Sequence, residues 1–123
     1  MSKKNILIAD DEAIYATVYK LKLEAEGFNV SHAKNGIEVL ELAKKSKPDI
    51  ILLDLMMPEK DGFHVLKELK DDSSLKDVPV IIMTNLTQTS DIEEVLRLGA
   101  KTYLIKSDNT AEQMVDKVKE NLK

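Results

Sequence analysis

Ile50-Ile51-Leu52-Leu53-Asp54 sets four consecutive apolar residues directly before a carboxylate. Such a run suits a strand covered on both faces, as in a parallel sheet, where apolar residues do not alternate with polar ones. The same pattern occurs earlier, where Ile6-Leu7-Ile8-Ala9 runs into Asp10-Asp11. Two buried parallel strands bring their acidic ends to one edge of one sheet. Three carboxylates gathered there repel one another, and each resists losing its water. A hard divalent cation such as Mg²⁺ resolves that conflict.

Around these two runs, strand and helix patterns alternate five times. The strands are expected at Asn5–Ala9, Asn29–His32, Ile50–Asp54, Val80–Thr84 and Thr102–Ile105. The first, third and fourth are nearly continuous Ile, Leu and Val, so they belong in the middle of the sheet. The second and fifth are more polar and belong nearer its edges. Between them lie helical stripes: Ile14, Val18, Leu21 and Ala25; Ile37, Leu40 and Ala43; Phe63, Leu66 and Leu69; Ile92, Val95, Leu96 and Gly99; and Ala111, Met114, Val115, Val118 and Leu122. Ser90 with Glu93 and Thr110 with Gln113 have capping-box spacing, and Gly27 and Gly99 stand where the first and fourth helices should stop. Pro48 closes the second helix region, and Pro79 stands at the mouth of the fourth strand.

Five β/α units in 123 residues are too few for an eight-unit barrel. The fold class expected is α/β, an open doubly wound parallel sheet with helices on both faces and right-handed crossovers, in one domain over 1–123. Such sheets bind ligands at the carboxyl ends of their strands. Asp10, Asp11, Asp54, Thr84 and Lys106 all fall there.

Composition narrows the function. Lys and Arg number 18 against 22 Asp and Glu, a net charge of −4, and no basic stripe with interleaved aromatics offers a phosphate-binding surface, so nucleic acid is not an expected partner. Cysteine is absent, which excludes disulfides, thiolate metal sites and cysteine nucleophiles. The N-terminus passes straight into a strand without a signal-peptide apolar region. No apolar stretch approaches the roughly 18 residues of a membrane span. A cytoplasmic protein with no membrane partner is the expectation.

The carriers of chemistry come in order: Asp10-Asp11; Asp54 followed by Met56-Met57-Pro58 and Asp61-Gly62; Thr84 ending the fourth strand; and Lys106 ending the fifth. On these residues the whole chain resembles the receiver domain of two-component response regulators, most of all single-domain receivers of the chemotaxis CheY type. The resemblance implies a flavodoxin-like (βα)5 fold with strand order 2-1-3-4-5, for which CheY is itself a known example. It implies that Asp54 is the phosphoacceptor, becoming an aspartyl phosphate. Mg²⁺, with Mn²⁺ as a substitute, would be held by Asp11, Asp54 and the Met56 backbone carbonyl, with Asp10 acting through water. Lys106 would supply a compact positive charge to a phosphoryl oxygen, and Thr84 its hydroxyl. Thr84 and Tyr103 would form the switch. The partners implied are a sensor histidine kinase or histidine phosphotransfer protein, and a downstream protein target read through the fourth helix, fifth strand and fifth helix, roughly Thr87 to Lys123. No output domain is expected. The chain would assist its own phosphorylation and dephosphorylation and would not be an enzyme turning over external substrates.

Two positions depart from the family's pattern. Ser107 stands where the family has proline after a cis bond; a cis bond before a non-proline residue costs roughly 2.5–4 kcal/mol, so a trans bond is expected at Lys106–Ser107. Asn85 follows Thr84, where a small residue is common, and is expected to narrow access to the phosphoryl group. Met56 and Leu86 flank the path of hydrolytic water and cannot position it by hydrogen bonding, so a long-lived phosphoryl group is expected.

Other readings compete. Asp10-Asp11 would also serve as the start of a helix, and Lys106 as a solvated lysine. His32 and His64 read as surface or packing residues far from the acidic edge. A haloacid-dehalogenase-type phosphatase needs an aspartate where Met56 stands, and a flavodoxin-like carrier needs a phosphate loop where Asp10-Asp11-Glu12 stands. The alternative left is a degenerate receiver acting as a phosphorylation-independent scaffold.

Overall fold

The computed structural model describes residues 3–57, 61–85 and 89–122. Pro58, Leu86, Thr87 and Lys123, all named above, lie outside the described residues. Five strands, β1 (Asn5–Ala9), β2 (Asn29–Ala33), β3 (Ile50–Asp54), β4 (Val80–Thr84) and β5 (Thr102–Ile105), alternate with five helices, α1 (Ala13–Ala25), α2 (Gly36–Lys45), α3 (Gly62–Asp71), α4 (Thr89–Arg97) and α5 (Ala111–Asn121). All pairings are parallel, and the order is β2-β1-β3-β4-β5, so the two polar strands do flank the sheet. β2 runs one residue beyond the expected end, because Ala33 pairs with Ala9.

Alternation along each strand divides the core in two. Leu7, Ala9, Ile51, Leu53 and Ile82 face α2 and α3, packing on Val39, Ala43, Val65, Leu66 and Leu69. Ile6, Ile8, Ile50, Leu52, Ile81 and Met83 face α1 and α5, packing on Tyr19, Leu23, Met114, Val115 and Val118. The continuous apolar runs of β1, β3 and β4 are thereby covered on both sides.

Several boundary signals act as expected. Thr110 and Gln113 form a reciprocal capping box at α5. Gly27 and Gly99 adopt φ of 95° and 111°, the left-handed region in which a helix ends on glycine. Ser90 does not precede its helix: α4 already includes Thr89, so Ser90 lies within the first turn.

The expected stripe of α1 is overturned. Ile14 and Leu21 are 80% and 64% exposed, and Val18 and Ala25 also face outward; Ala16, Tyr19 and Leu23 are the buried residues. Both sets repeat at helical spacing, and Tyr19 and Leu23 of the buried set pack with Ile6, Ile8, Val115 and Val118 in the second half of the core. α2 is likewise rotated slightly, burying Val39 and Ala43 while Ile37 is exposed. In α4, Val95 is buried and Leu96 is exposed.

Candidate functional site

Among the described residues four polar or charged side chains are buried: Asp10, Asp54, Thr84 and Lys106. Each stands at or just past the carboxyl end of a strand, β1, β3, β4 and β5 respectively. Chain direction alone brings them to one edge, because all five strands run the same way. Gly62 permits the approach of α3: a Cβ there would lie 2.6 Å from the Asp54 carbonyl oxygen and 2.6 Å from the Leu55 Cα. The Gly62 N–H also donates to the Leu55 carbonyl at 3.0 Å, and Asp61 caps the helix by accepting from the His64 N–H. The Asp61-Gly62 pair therefore seats α3 beside β3 and does not enter the cluster itself.

Lys106 is the hub. Its Nζ lies 2.8 Å from Asp10 Oδ2, 2.9 Å from Asp54 Oδ2 and 2.9 Å from Glu12 Oε1, and 4.5 Å above the centre of the Tyr15 ring. Backbone N–H groups hold the opposite carboxylate oxygens: Glu12 N donates to Asp10 Oδ1 at 2.8 Å, and Met56 N to Asp54 Oδ1 at 3.1 Å. Burial pushes the Asp54 carboxyl up, to about 6, with Lys106 and the Met56 N–H pulling the other way. Burial also works against the charge on Lys106, yet the carboxylates of Asp10, Glu12 and Asp54 outweigh it and raise its pKa, so the lysine stays protonated. Desolvation pushes the nearby Tyr19 phenol up to about 12.

One cation does not saturate three carboxylates. Asp10, Glu12 and Asp54 each place an oxygen within 4.8 Å of the others. Asp10 Oδ2 is buried and receives no directed hydrogen bond, its contact with Lys106 being an ion pair without hydrogen-bond alignment. Three carboxylates sharing one buried ammonium leave negative charge over, and a cluster of hard oxygen donors with that excess fits Mg²⁺ in both charge and ligand type.

Asp10, Asp54, Thr84 and Lys106 are thus gathered as the sequence suggests. Asp11 is exposed and stands outside the three-carboxylate cluster. Met56 is exposed beside Asp54, and Tyr103 on β5 is about one-third exposed. The sequence reading missed Glu12 and Tyr15, whose signal was their place at the start of α1, directly after the acidic pair. It also misplaced His32. The Nε2 of His32 lies 2.7 Å from the Asp10 backbone carbonyl, and because a carbonyl oxygen only accepts, that nitrogen carries the proton. His32 pairs with Ile8 in register, two residues before Asp10, and its side chain leans along the strand to reach the edge. His64 stays on the surface with Asp61.

A five-stranded doubly wound domain with a buried carboxylate and lysine cluster at its carboxyl edge defines a class of α/β domains whose chemistry lies at the strand ends. Residues 6–119 match the family described as the response regulator receiver domain, and the chain belongs to that family. It is a receiver domain of the two-component response regulator type. It is 35% identical over 103 residues to the polar-differentiation response regulator DivK of Brucella anthropi, which covers 84% of each chain. It is 41% identical over 106 residues to the probable transcriptional regulator ycf27 of Porphyridium aerugineum, spanning 86% of this chain but only 43% of that relative. Among solved structures, chemotaxis protein CheY4 of Vibrio cholerae superposes with a TM-score of 0.91 at 26% identity, covering 98% of this chain and 100% of the other. The signal receiver domain of a signal transduction histidine kinase from Syntrophus aciditrophicus superposes with a TM-score of 0.88 at 32% identity, covering 97% and 89%.

Proposed function

We propose that the chain is a phosphorylation-controlled switch in which Asp54 accepts a phosphoryl group from a phosphohistidine on a sensor kinase or phosphotransfer protein. The observation that carries this reading is the buried contact of Asp54 Oδ2 with Lys106 at 2.9 Å, inside a cluster of three carboxylates. The Met56 N–H holds Oδ1 and Lys106 faces Oδ2, the oxygen taken here as the nucleophile. Oδ2 forms a bond to phosphorus as the P–N bond to the donor histidine breaks, its electron pair leaving with the imidazole. Lys106 then turns from the carboxylate to a phosphoryl oxygen, a short movement for a flexible stem already in the site. Thr84, at the end of β4, is within the same edge to donate its hydroxyl to another oxygen.

The residues fit a divalent cation: Asp10, Asp54 and the Met56 carbonyl, with Glu12 or Asp11 from the adjoining loop, would hold Mg²⁺ or Mn²⁺. When bound it neutralises charge on the transferred group. With phosphate in place, Thr84 and Tyr103 would alter the surface of α4, β5 and α5 that a protein target reads. This is signalling chemistry on the chain's own side chain, without turnover of an external substrate. Among the described residues no helix is long and apolar enough to cross a membrane.

Intact-mass measurement after incubation with acetyl phosphate tests the reading. Wild type with Mg²⁺ should gain one phosphoryl group, and wild type with chelator or Asp54→Asn with Mg²⁺ should gain none. No uptake by wild type would favour the scaffold alternative.

A further inference from the structure

The two positions that depart from the family's pattern, Asn85 and Ser107, are bonded to each other. The Ser107 backbone N–H donates to Asn85 Oδ1 at 2.9 Å, across 22 residues of chain. Asn85 directly follows Thr84, and Ser107 directly follows Lys106, so the bond ties the loops leaving β4 and β5 one residue beyond each functional side chain. A proline at 107 has no N–H and could not make this bond. The Lys106–Ser107 bond is trans, as are all peptide bonds among the described residues. Lys106–Asp108 forms a short 3-10 turn, and its other side is also held by an asparagine, with Asn109 Nδ2 donating to the Ile105 carbonyl at 2.8 Å.

We propose that Asn85 is a positioning residue that acts through the Ser107 amide to fix the turn carrying Lys106. A lysine stem has four rotatable bonds, so the direction of its backbone decides whether Nζ reaches Asp10 and Asp54 together. A ring at 107 would constrain that turn covalently; here a side chain from the neighbouring strand's loop constrains it by a hydrogen bond. Because the turn answers to the residue after Thr84, a displacement of Thr84 is passed to Lys106 through one bond. The role in phosphoryl transfer rests on the function proposed above, whereas the bond itself does not.

Two readouts separate these. Amide hydrogen exchange of Ser107, followed by NMR, should quicken about fivefold or more in Asn85→Ala while core amides keep their rates, and Asn85→Asp, which retains the acceptor oxygen, should restore protection. Phosphoryl uptake from phosphoramidate at saturating Mg²⁺ should slow about fivefold in Asn85→Ala, the loosened turn outweighing the wider access that alanine gives, with Mg²⁺ affinity within twofold of wild type; a merely structural loss would weaken both. Unchanged Ser107 exchange in Asn85→Ala overturns the bond. Faster exchange with an unchanged or raised uptake rate overturns the positioning role. If wild type takes up no phosphate, the proposed function falls and the positioning role with it, and the exchange result still decides the bond.

Discussion

At the N-terminal end of the sheet Asn5, Asn29 and Asp49 meet in the open: the Asn5 N–H donates to Asp49 Oδ2 at 2.7 Å and Asn29 Nδ2 to Asn5 Oδ1 at 3.3 Å. At the opposite end Asp10, Asp54, Thr84 and Lys106 are buried. The strands, their spacing and their direction are shared, so the sheet does not require buried charge at either end. Water serves the first group at little cost, whereas the second gives up hydration and recovers only part of it through one lysine and the Glu12 and Met56 N–H groups. Three carboxylates around one lysine leave an excess of buried negative charge at this end, which suits the divalent cation proposed above.

The largest expected effect comes from breaking the buried end at its hub. Lys106→Met keeps the stem but leaves Asp10 and Asp54 without their cation. Urea unfolding at pH 7 without Mg²⁺ should show a loss of about 3–5 kcal/mol, and phosphoryl uptake should slow on the order of 100-fold. Packing around the same end gives the next effect. Gly62→Ala forces a Cβ against the Asp54 backbone and should cost about 1–3 kcal/mol in the same unfolding assay.

The titration of Asp54 gives a smaller and signed effect. An acid whose pKa rises on folding binds a proton as the chain folds, so its contribution to stability is complete below about pH 4 and is lost as the pH climbs through about 6. Asp54→Asn should therefore exceed wild type in stability by about 1–2 kcal/mol at pH 8 without Mg²⁺, a gain that vanishes below pH 4 in urea melts. A gain that instead grows on acidification would reverse the sign of the account. At the solvated end, Asp49→Ala should cost no more than about 1 kcal/mol, with phosphoryl uptake unchanged. Leu21→Ser, on the outward face of α1, should stay within about 0.5 kcal/mol of wild type.

What the sequence revealed, and what it hid, follows the same division. The strands were legible because β1, β3 and β4 are apolar on both faces, and that leaves no ambiguity of register with the helices. The candidate site was legible because parallel strands deliver their ends to one edge whatever the helices do. The face of α1 was not, since Ile14-Val18-Leu21 and Ala16-Tyr19-Leu23 both repeat at helical spacing and only packing chooses between them. Contacts made along or across loops were hidden too. His32 reaches Asp10 by leaning down its strand, Glu12 reaches Lys106 across 94 residues, and the Asn85–Ser107 bond joins a side chain to a backbone amide that no residue pattern marks.

The central claim is that the buried end exists to carry a phosphoryl group on one particular carboxylate. After uptake from acetyl phosphate with Mg²⁺, borohydride trapping of the acyl phosphate followed by peptide mapping should locate the modification at Asp54 alone. A phosphoryl group found on Asp10, on Asp11 or on a hydroxyl residue would contradict the account.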